Sequence, residues 1–130
     1  MPIDLARRTT LGVDSLEALA TFSGAGVLTV GAGTSRFRFP FAATIVGVSA
    51  AVGTAPTGAS LIIDVNKNGT TIFTTQANRP TIVSGANHAV EATPDVTAVA
   101  AGDWLTVDRD QVGSSVAGAD LSVFIRYRRP

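Results

Sequence analysis

The stretch that decides the fold is SLIIDVNKNGTTIF, residues 60 to 73. Apolar side chains occupy alternate positions between Leu61 and Val65, which is the pattern of a β-strand that buries one face. Asn68-Gly69 follows and tolerates the positive φ angles that a tight hairpin turn requires. The β-branched residues within 70–75 then predict a returning strand. The stretch therefore predicts a β-hairpin in the middle of the chain.

Short segments of the same character occur on both sides of this hairpin, between turn residues spaced by about 8 to 12 positions. The predicted strands are 26–30, 35–39, 44–52, 60–66, 70–75, 81–84, 88–92, 96–99, 103–109 and 120–128. No long helical pattern interrupts them. The sequence thus predicts an all-β fold, a single antiparallel β-sandwich over residues 24–130 that is jelly-roll-like, with about eight to ten strands.

Residues 1–23 carry more charge than the sequence that follows. Asp14-Ser15 is suited to cap the start of a short helix, in which Leu16, Leu19 and Ala20 share one face. A helix of one or two turns is marginal by itself in water. We therefore interpret residues 1–23 as an N-terminal arm that docks on its own domain or on neighbouring subunits.

The composition limits the kinds of partner. Charged residues make up 15% of the 130 residues, against about 25% in ordinary soluble domains, so part of the surface is expected to face other subunits. Ten basic and ten acidic residues cancel, which argues against a nucleic-acid-binding protein. There is no signal-peptide core and no apolar run of membrane-spanning length, so we expect no membrane partner and synthesis in the cytoplasm.

The candidate sites for chemistry all have simpler structural interpretations. Asp64-x-Asn66-x-Asn68-Gly69 matches the first half of a calcium loop, but Thr75 stands where the bidentate carboxylate belongs. The acidic cluster consists of Asp103, Asp108, Asp110 and Asp120. Asp103 and Asp120 are expected at the start of strands, where a carboxylate usually accepts turn amides. His88 has no second His or Cys to share a metal. The sequence predicts no catalytic residues, no metal and no cofactor.

Alternation within the strands also predicts which side chains face outward. Odd-numbered residues from Leu121 to Tyr127 are expected in the core, which leaves Phe124 outside, and Trp104 and Ile62 are likewise expected on outer faces. An outward apolar side chain suggests a second layer or an interface, whereas outward arginines serve either interfaces or a solvated edge that discourages aggregation. The candidate interface residues are Arg7, Arg8, Leu16, Leu19, Arg36, Arg38, Ile62, Trp104, Phe124, Arg126 and Arg128.

Two motifs occur together and in order: PTGASL-x-x-D-x-NKNGTTIF, and AAGD-x-LTVD followed by VGS and GADL-x-V. In these motifs residues 36–128 resemble a β-sandwich module of tailed-phage and prophage virion proteins, which include small decoration, tail-fibre and minor tail proteins. Residues 1–23 lie outside the shared pattern.

The resemblance implies a non-enzymatic structural protein located in the virion that associates with itself, most often as a homotrimer. Its further partners would be virion proteins such as the major capsid protein or tail proteins. An arm joined to one sandwich suits a capsid decoration protein that clamps neighbouring shell subunits. The alternative is a tail-fibre, baseplate or minor tail protein that binds a host surface glycan, with outward Trp104 as the stacking platform.

Overall fold

The computed structural model describes residues 16–129. Nine strands and one short 3₁₀ helix are found in this range. The strands are β1 (Leu16–Val27), β2 (Phe37–Arg38), β3 (Ala43–Thr54), β4 (Leu61–Lys67), β5 (Thr70–Thr71), β6 (Thr81–Ile82), β7 (Ala98–Val99), β8 (Trp104–Val112) and β9 (Ala119–Arg129), and the 3₁₀ helix is Gln76–Asn78. The predicted all-β class is confirmed.

The strands form two antiparallel sheets. Sheet I has the order β1-β9-β3-β7, and sheet II has the order β2-β8-β4-β5, with β6 also paired to β4. The inward side chains of both sheets are apolar and pack against each other as the core. The antiparallel sandwich predicted from the alternation is therefore confirmed.

The hairpin that decides the fold has the predicted turn. Asn68 and Gly69 have φ values of 51° and 87°, as a tight two-residue connection requires. Leu61, Ile63 and Val65 are fully buried. The returning strand is shorter than predicted, because β5 ends at Thr71 and Ile72 and Phe73 turn into the core instead.

The predicted short helix is wrong for the residues that the structure describes. Leu16, Leu19 and Ala20 belong to β1, which runs antiparallel to β9 from Leu16 opposite Arg129 onward. Pairing with a long strand satisfies the backbone of this segment and buries Ala20 completely, which a lone helical turn could not do. The proposed start of the helix at Asp14-Ser15 lies outside the described residues.

β1 also crosses the expected boundary between arm and sandwich. Residues 16–23 and 24–27 form one strand of sheet I, so the sandwich includes residues assigned to the arm by sequence. The pairing with β9 shifts its register between Gly24 and Val27. The amide of Gly26, whose φ is 80°, donates to the carboxylate of Asp120 at 2.7 Å, which fixes this bulge to β9.

The edge of sheet II beside β8 is irregular. Gly31 pairs with Arg109 and Phe37 with Leu105, but residues 32–36 between them leave the ladder. We call residues 32–36 the edge bulge. Gly33 within it lies so close to β8 that an added Cβ would overlap the carbonyl oxygen of Val107. Only glycine fits this position without moving the bulge.

We expect Gly33→Ala to lower the free energy of unfolding by about 1–3 kcal/mol, because the bulge must move away from the β8 backbone. Urea denaturation measures the change. Gly24→Ala is the matched control, since its added methyl would meet only the Leu28 side chain at 3.8 Å, and a change within about 0.5 kcal/mol is expected. Equal stability of the two variants would contradict the close approach of Gly33.

Candidate functional site

The predicted interface residues fall on two different surfaces of the sandwich. Leu19, Phe124, Arg126 and Arg128 lie on the outer face of sheet I, where β1 and β9 are neighbours. Arg36, Arg38, Trp104 and Ile62 belong to sheet II and its edge. The structure therefore divides the predicted arginines between two separate surfaces. Arg7 and Arg8 lie outside the described residues.

Arg126 is the centre of an ion cluster on the outer face of sheet I. Its Nε and Nη2 donate to the two carboxylate oxygens of Glu91 at 3.1 and 2.6 Å. Its Nη1 donates to Glu17 at 2.9 Å. These bonds join β1, β9 and the segment that borders β3, and the paired, planar geometry is the one in which arginine binds carboxylates best. Arg126 is thus engaged within its own chain.

Gly47 makes room for this cluster. It lies opposite Arg126 in the β3–β9 register, and the Glu91 side chain passes over it to reach the guanidinium. A Cβ at position 47 would overlap that side chain. The hydrogen bonds from Arg126 are the main reason that the pKa of Glu91 lies below its ordinary value of 4.5, and burial opposes this effect.

The leucines of β1 remain accessible. Leu16 and Leu19 are 62% and 54% exposed, and because they are three positions apart on one strand, Leu19 lies on the outer face and Leu16 on the opposite face. β1 is an outer strand of sheet I and pairs only with β9 among the described strands. Phe124 is half-buried and Arg128 is exposed. An edge strand of this length with little charge offers a template for another strand or subunit.

The second surface is a groove beside the edge bulge. It has a volume of about 320 Å³, and we call it the Trp104 groove; its lining residues are Ala32, Gly33, Thr34, Arg36, Asn66, Gly69, Trp104, Thr106 and Asp108. The guanidinium carbon of Arg36 lies 4.3 Å from the centroid of the Trp104 ring, within cation–π distance. The predicted stacking platform is therefore already in contact with an arginine.

The floor of the groove is held by hydrogen bonds. Asp108 accepts from the side-chain amide of Asn66 at 2.8 Å and from the backbone amide of Gly33 at 3.2 Å. Asp64 lies opposite Asp108 on the neighbouring strand and accepts from the hydroxyl of Thr71 at 2.6 Å. These bonds fix two carboxylates of the same charge side by side.

The remaining predicted residues of sheet II lie at its margins. Ile62 is half-buried and pairs with Gln111 of β8 and Thr81 of β6. Arg38 is exposed, lies opposite Trp104 and has its guanidinium near Gly102. Neither lines the Trp104 groove.

The acidic cluster of the sequence is dispersed in the fold. Asp103 accepts from the amide of Ala100 at 2.8 Å, which is the main reason that its pKa is below the ordinary value. Asp110 pairs with Arg79 at 2.6 Å, and Asp120 holds the β1 bulge. The expectation that Asp103 accepts a turn amide is confirmed. These carboxylates share no cleft.

Within residues 16–129, no group of three or more His, Cys, Asp or Glu side chains is arranged to hold a metal ion. His88 is exposed and forms an isolated bridge with Ala51 of β3. No helix among the described residues has both the length and the apolar character needed to cross a membrane.

Two features of these surfaces were missed by sequence reasoning. In the ion cluster, Arg126 is separated from Glu91 by 35 positions in the sequence and from Glu17 by 109, so a local sequence pattern does not indicate it. The sequence contains one indication of the edge bulge, the run Gly31-Ala32-Gly33, but this run is typical of an ordinary turn.

The fold is similar to that of a chain in a solved structure titled "Cyanophage Pam1 capsid asymmetric unit". The identity is 14%, the TM-score is 0.54, and the similarity covers 90% of this chain and 86% of the other. No protein-family model matches the sequence. No curated protein matches it significantly.

The pairing with Arg126 stabilises the fold only while Glu91 is ionised. Because the folded state lowers the pKa of Glu91, this contribution is present above about pH 4.5 and is lost as the pH falls through the lowered pKa. The partners are partly exposed, with 35% and 41% of their side chains accessible, so water screens the pair and its contribution to stability is small.

We expect Gly47→Ala to displace the Glu91 side chain from Arg126. An NMR titration of the Glu91 carboxyl carbon should then give a pKa close to the ordinary 4.5. Gly24→Ala, which lies away from the cluster, should leave the lowered pKa unchanged. The same lowered pKa in the Gly47→Ala protein would show that Glu91 reaches Arg126 by another path.

Proposed function

We propose that this chain is a non-enzymatic structural protein of a phage virion and that it decorates the capsid. The observation that carries the proposal is the similarity of its fold to a chain of a phage capsid asymmetric unit over 90% of its length. The resemblance of residues 36–128 to virion β-sandwich modules supports the same class. A decoration protein acts by binding shell subunits, and binding that favours the assembled state stabilises it by mass action.

The accessible surface of sheet I suits such a role. The chain has few charged residues, and its long edge strand β1 exposes Leu16 and Leu19. Residues 1–15 lead directly into this strand. In our proposal these residues form the arm that contacts the major capsid protein, while β1 faces a neighbouring copy within a homotrimer.

A tail-fibre, baseplate or minor tail protein that binds a host glycan is the second candidate. One observation favours it: Trp104 lines an open groove together with charged and polar side chains. Location on the particle separates the two candidates. Electron microscopy of intact virions with an antibody against the protein should label the shell for a decoration protein and the tail for the alternative.

We expect deletion of residues 1–15 to abolish binding to capsids that lack this protein, because the arm supplies the contact with the shell. Cosedimentation with purified capsids measures the binding of the full chain and of the deletion variant. This deletion spares the whole of β1, which begins at Leu16.

Circular dichroism and the melting temperature provide the control for this experiment. A folded deletion variant that no longer cosediments supports the arm as the anchor. Undiminished cosedimentation of the folded variant would refute that assignment.

We expect the double substitution Leu16→Ser, Leu19→Ser to convert the trimer to monomers. Burying a leucine side chain contributes about 1.5–3 kcal/mol, so removing two such contacts from each copy weakens association strongly. Light scattering should give three times the monomer mass for the native chain and the monomer mass for the variant.

The matched control for this pair is Val83→Ser, since Val83 is also apolar and is 59% exposed but lies outside β1. It should leave the trimer intact. A native chain that stays monomeric at high concentration would contradict the proposed self-association.

A further inference from the structure

We propose that the Trp104 groove is a binding site for a neutral saccharide. The inference does not depend on whether the protein decorates a capsid or forms part of a tail, because it rests on the groove alone. The groove volume of about 320 Å³ lies at the lower end of the range for small-molecule pockets, about 300–1,000 Å³. It has room for a short saccharide and not for a folded partner.

The groove presents donors and acceptors together, as a ring bearing several hydroxyl groups requires. Each carboxylate oxygen of Asp108 accepts one hydrogen bond from the described residues, so lone pairs remain for ligand hydroxyls. The hydroxyl of Thr106 and the indole N–H of Trp104 make no hydrogen bond to residues 16–129. Every buried side-chain N or O atom among the described residues has a hydrogen-bond partner, so these two groups are not buried and a ligand can reach them.

Arg36 adds a positioned set of donors. Its guanidinium is held over the Trp104 ring, but within the described part of the chain it forms no ion pair and no hydrogen bond. The cation–π contact fixes the plane of the group and leaves its N–H donors at the rim of the groove. The stacked pair also offers a flat surface against which the apolar face of a sugar ring can pack.

Charge decides in favour of a neutral ligand. Asp108 lies on the floor, and Asp64 is its direct neighbour across the β4–β8 pairing, whereas Arg36 supplies the one positive charge among the lining residues. Asp108 is the one carboxylate among the lining residues, and Asp64, which is 7% exposed, lies buried beside it. A sulfated, phosphorylated or uronic-acid sugar would therefore contact Asp108, with the second negative charge of Asp64 close by and one guanidinium to offset the two. Like charges repel one another at short range, so the groove selects against anionic saccharides.

The floor of the groove is rigid before any ligand binds. Asn66, Thr106 and Asp108 stand on paired strands of sheet II, and the edge bulge is attached to Asp108 through the Gly33 amide. A preformed arrangement reduces the loss of conformational entropy on binding.

The native chain carries its own reporter for the test, since Trp104 is its only tryptophan. Tryptophan emission is recorded while maltotriose or tri-N-acetylchitotriose, both neutral, or trigalacturonate, which is anionic, is added to millimolar concentrations. We expect a saturable change with at least one neutral trisaccharide and a weaker or absent change with trigalacturonate. The amide NMR signals of the lining residues should shift over the same concentration range.

Two groove variants and one control locate the binding. Asp108→Asn keeps the size of the side chain but removes the charge and one of the two acceptor oxygens, and we expect about tenfold weaker binding or more, as hydrogen bonds to a charged group predict. Arg36→Gln should also weaken binding. Thr21→Ala, on the exposed face of β1, should bind as the native chain does.

Three outcomes would overturn the inference. The first is that neither the emission nor the amide signals respond to the neutral sugars. The others are tighter binding of trigalacturonate and an unchanged affinity of Asp108→Asn for the neutral sugar. Capsid cosedimentation of Asp108→Asn is measured in parallel and should equal that of the native chain. Failure of the saccharide site is thereby distinguished from failure of the proposed virion role.

Discussion

The structure depends on the pairing of β9 along both of its edges. β9 has β1 on one side and β3 on the other, and its inward residues Leu121, Val123 and Ile125 lie in the core. On the opposite face Arg126 reaches carboxylates from both flanking segments. One strand thus contributes apolar side chains to the core on one face and Arg126 to the ion cluster on the other. Its backbone forms hydrogen bonds with both neighbouring strands.

Sheet II differs from sheet I in that it carries a concave polar surface, the Trp104 groove. Regular strands β4 and β8 supply a fixed floor, and the edge bulge, residues 32–36, departs from the ladder to form a wall. Gly33 permits this because no side chain intervenes between the bulge and the carbonyl of Val107. Irregular backbone placed over a regular sheet is a common way to build a recognition surface without disturbing the core.

Sequence patterns predicted the elements in which side-chain alternation and turn chemistry agree. The hairpin around Asn68-Gly69, the long strands β3, β4, β8 and β9, and the inward residues of β9 all follow from these local signals. The first part of β1 was predicted as a short helix because Leu16, Leu19 and Ala20 follow a capping signal at helical spacing, but pairing with the distant strand β9 decides its structure. The predicted strand at 88–92 consists only of isolated bridges to β3 from His88 and Ala92. The ion cluster and the Trp104 groove depend on contacts between distant segments, which no local pattern records.

The position of β1 has a consequence for how the molecule is made. The only strand beside β1 in the described part of the chain is β9, which is synthesised roughly a hundred residues later, so the contact order of this sheet is high. Until β9 has emerged from the ribosome, β1 has no partner strand among the described residues. Sheet I can therefore close only after residues 119–129 have been translated, and until then β1 is available to chaperones or to a neighbouring nascent chain.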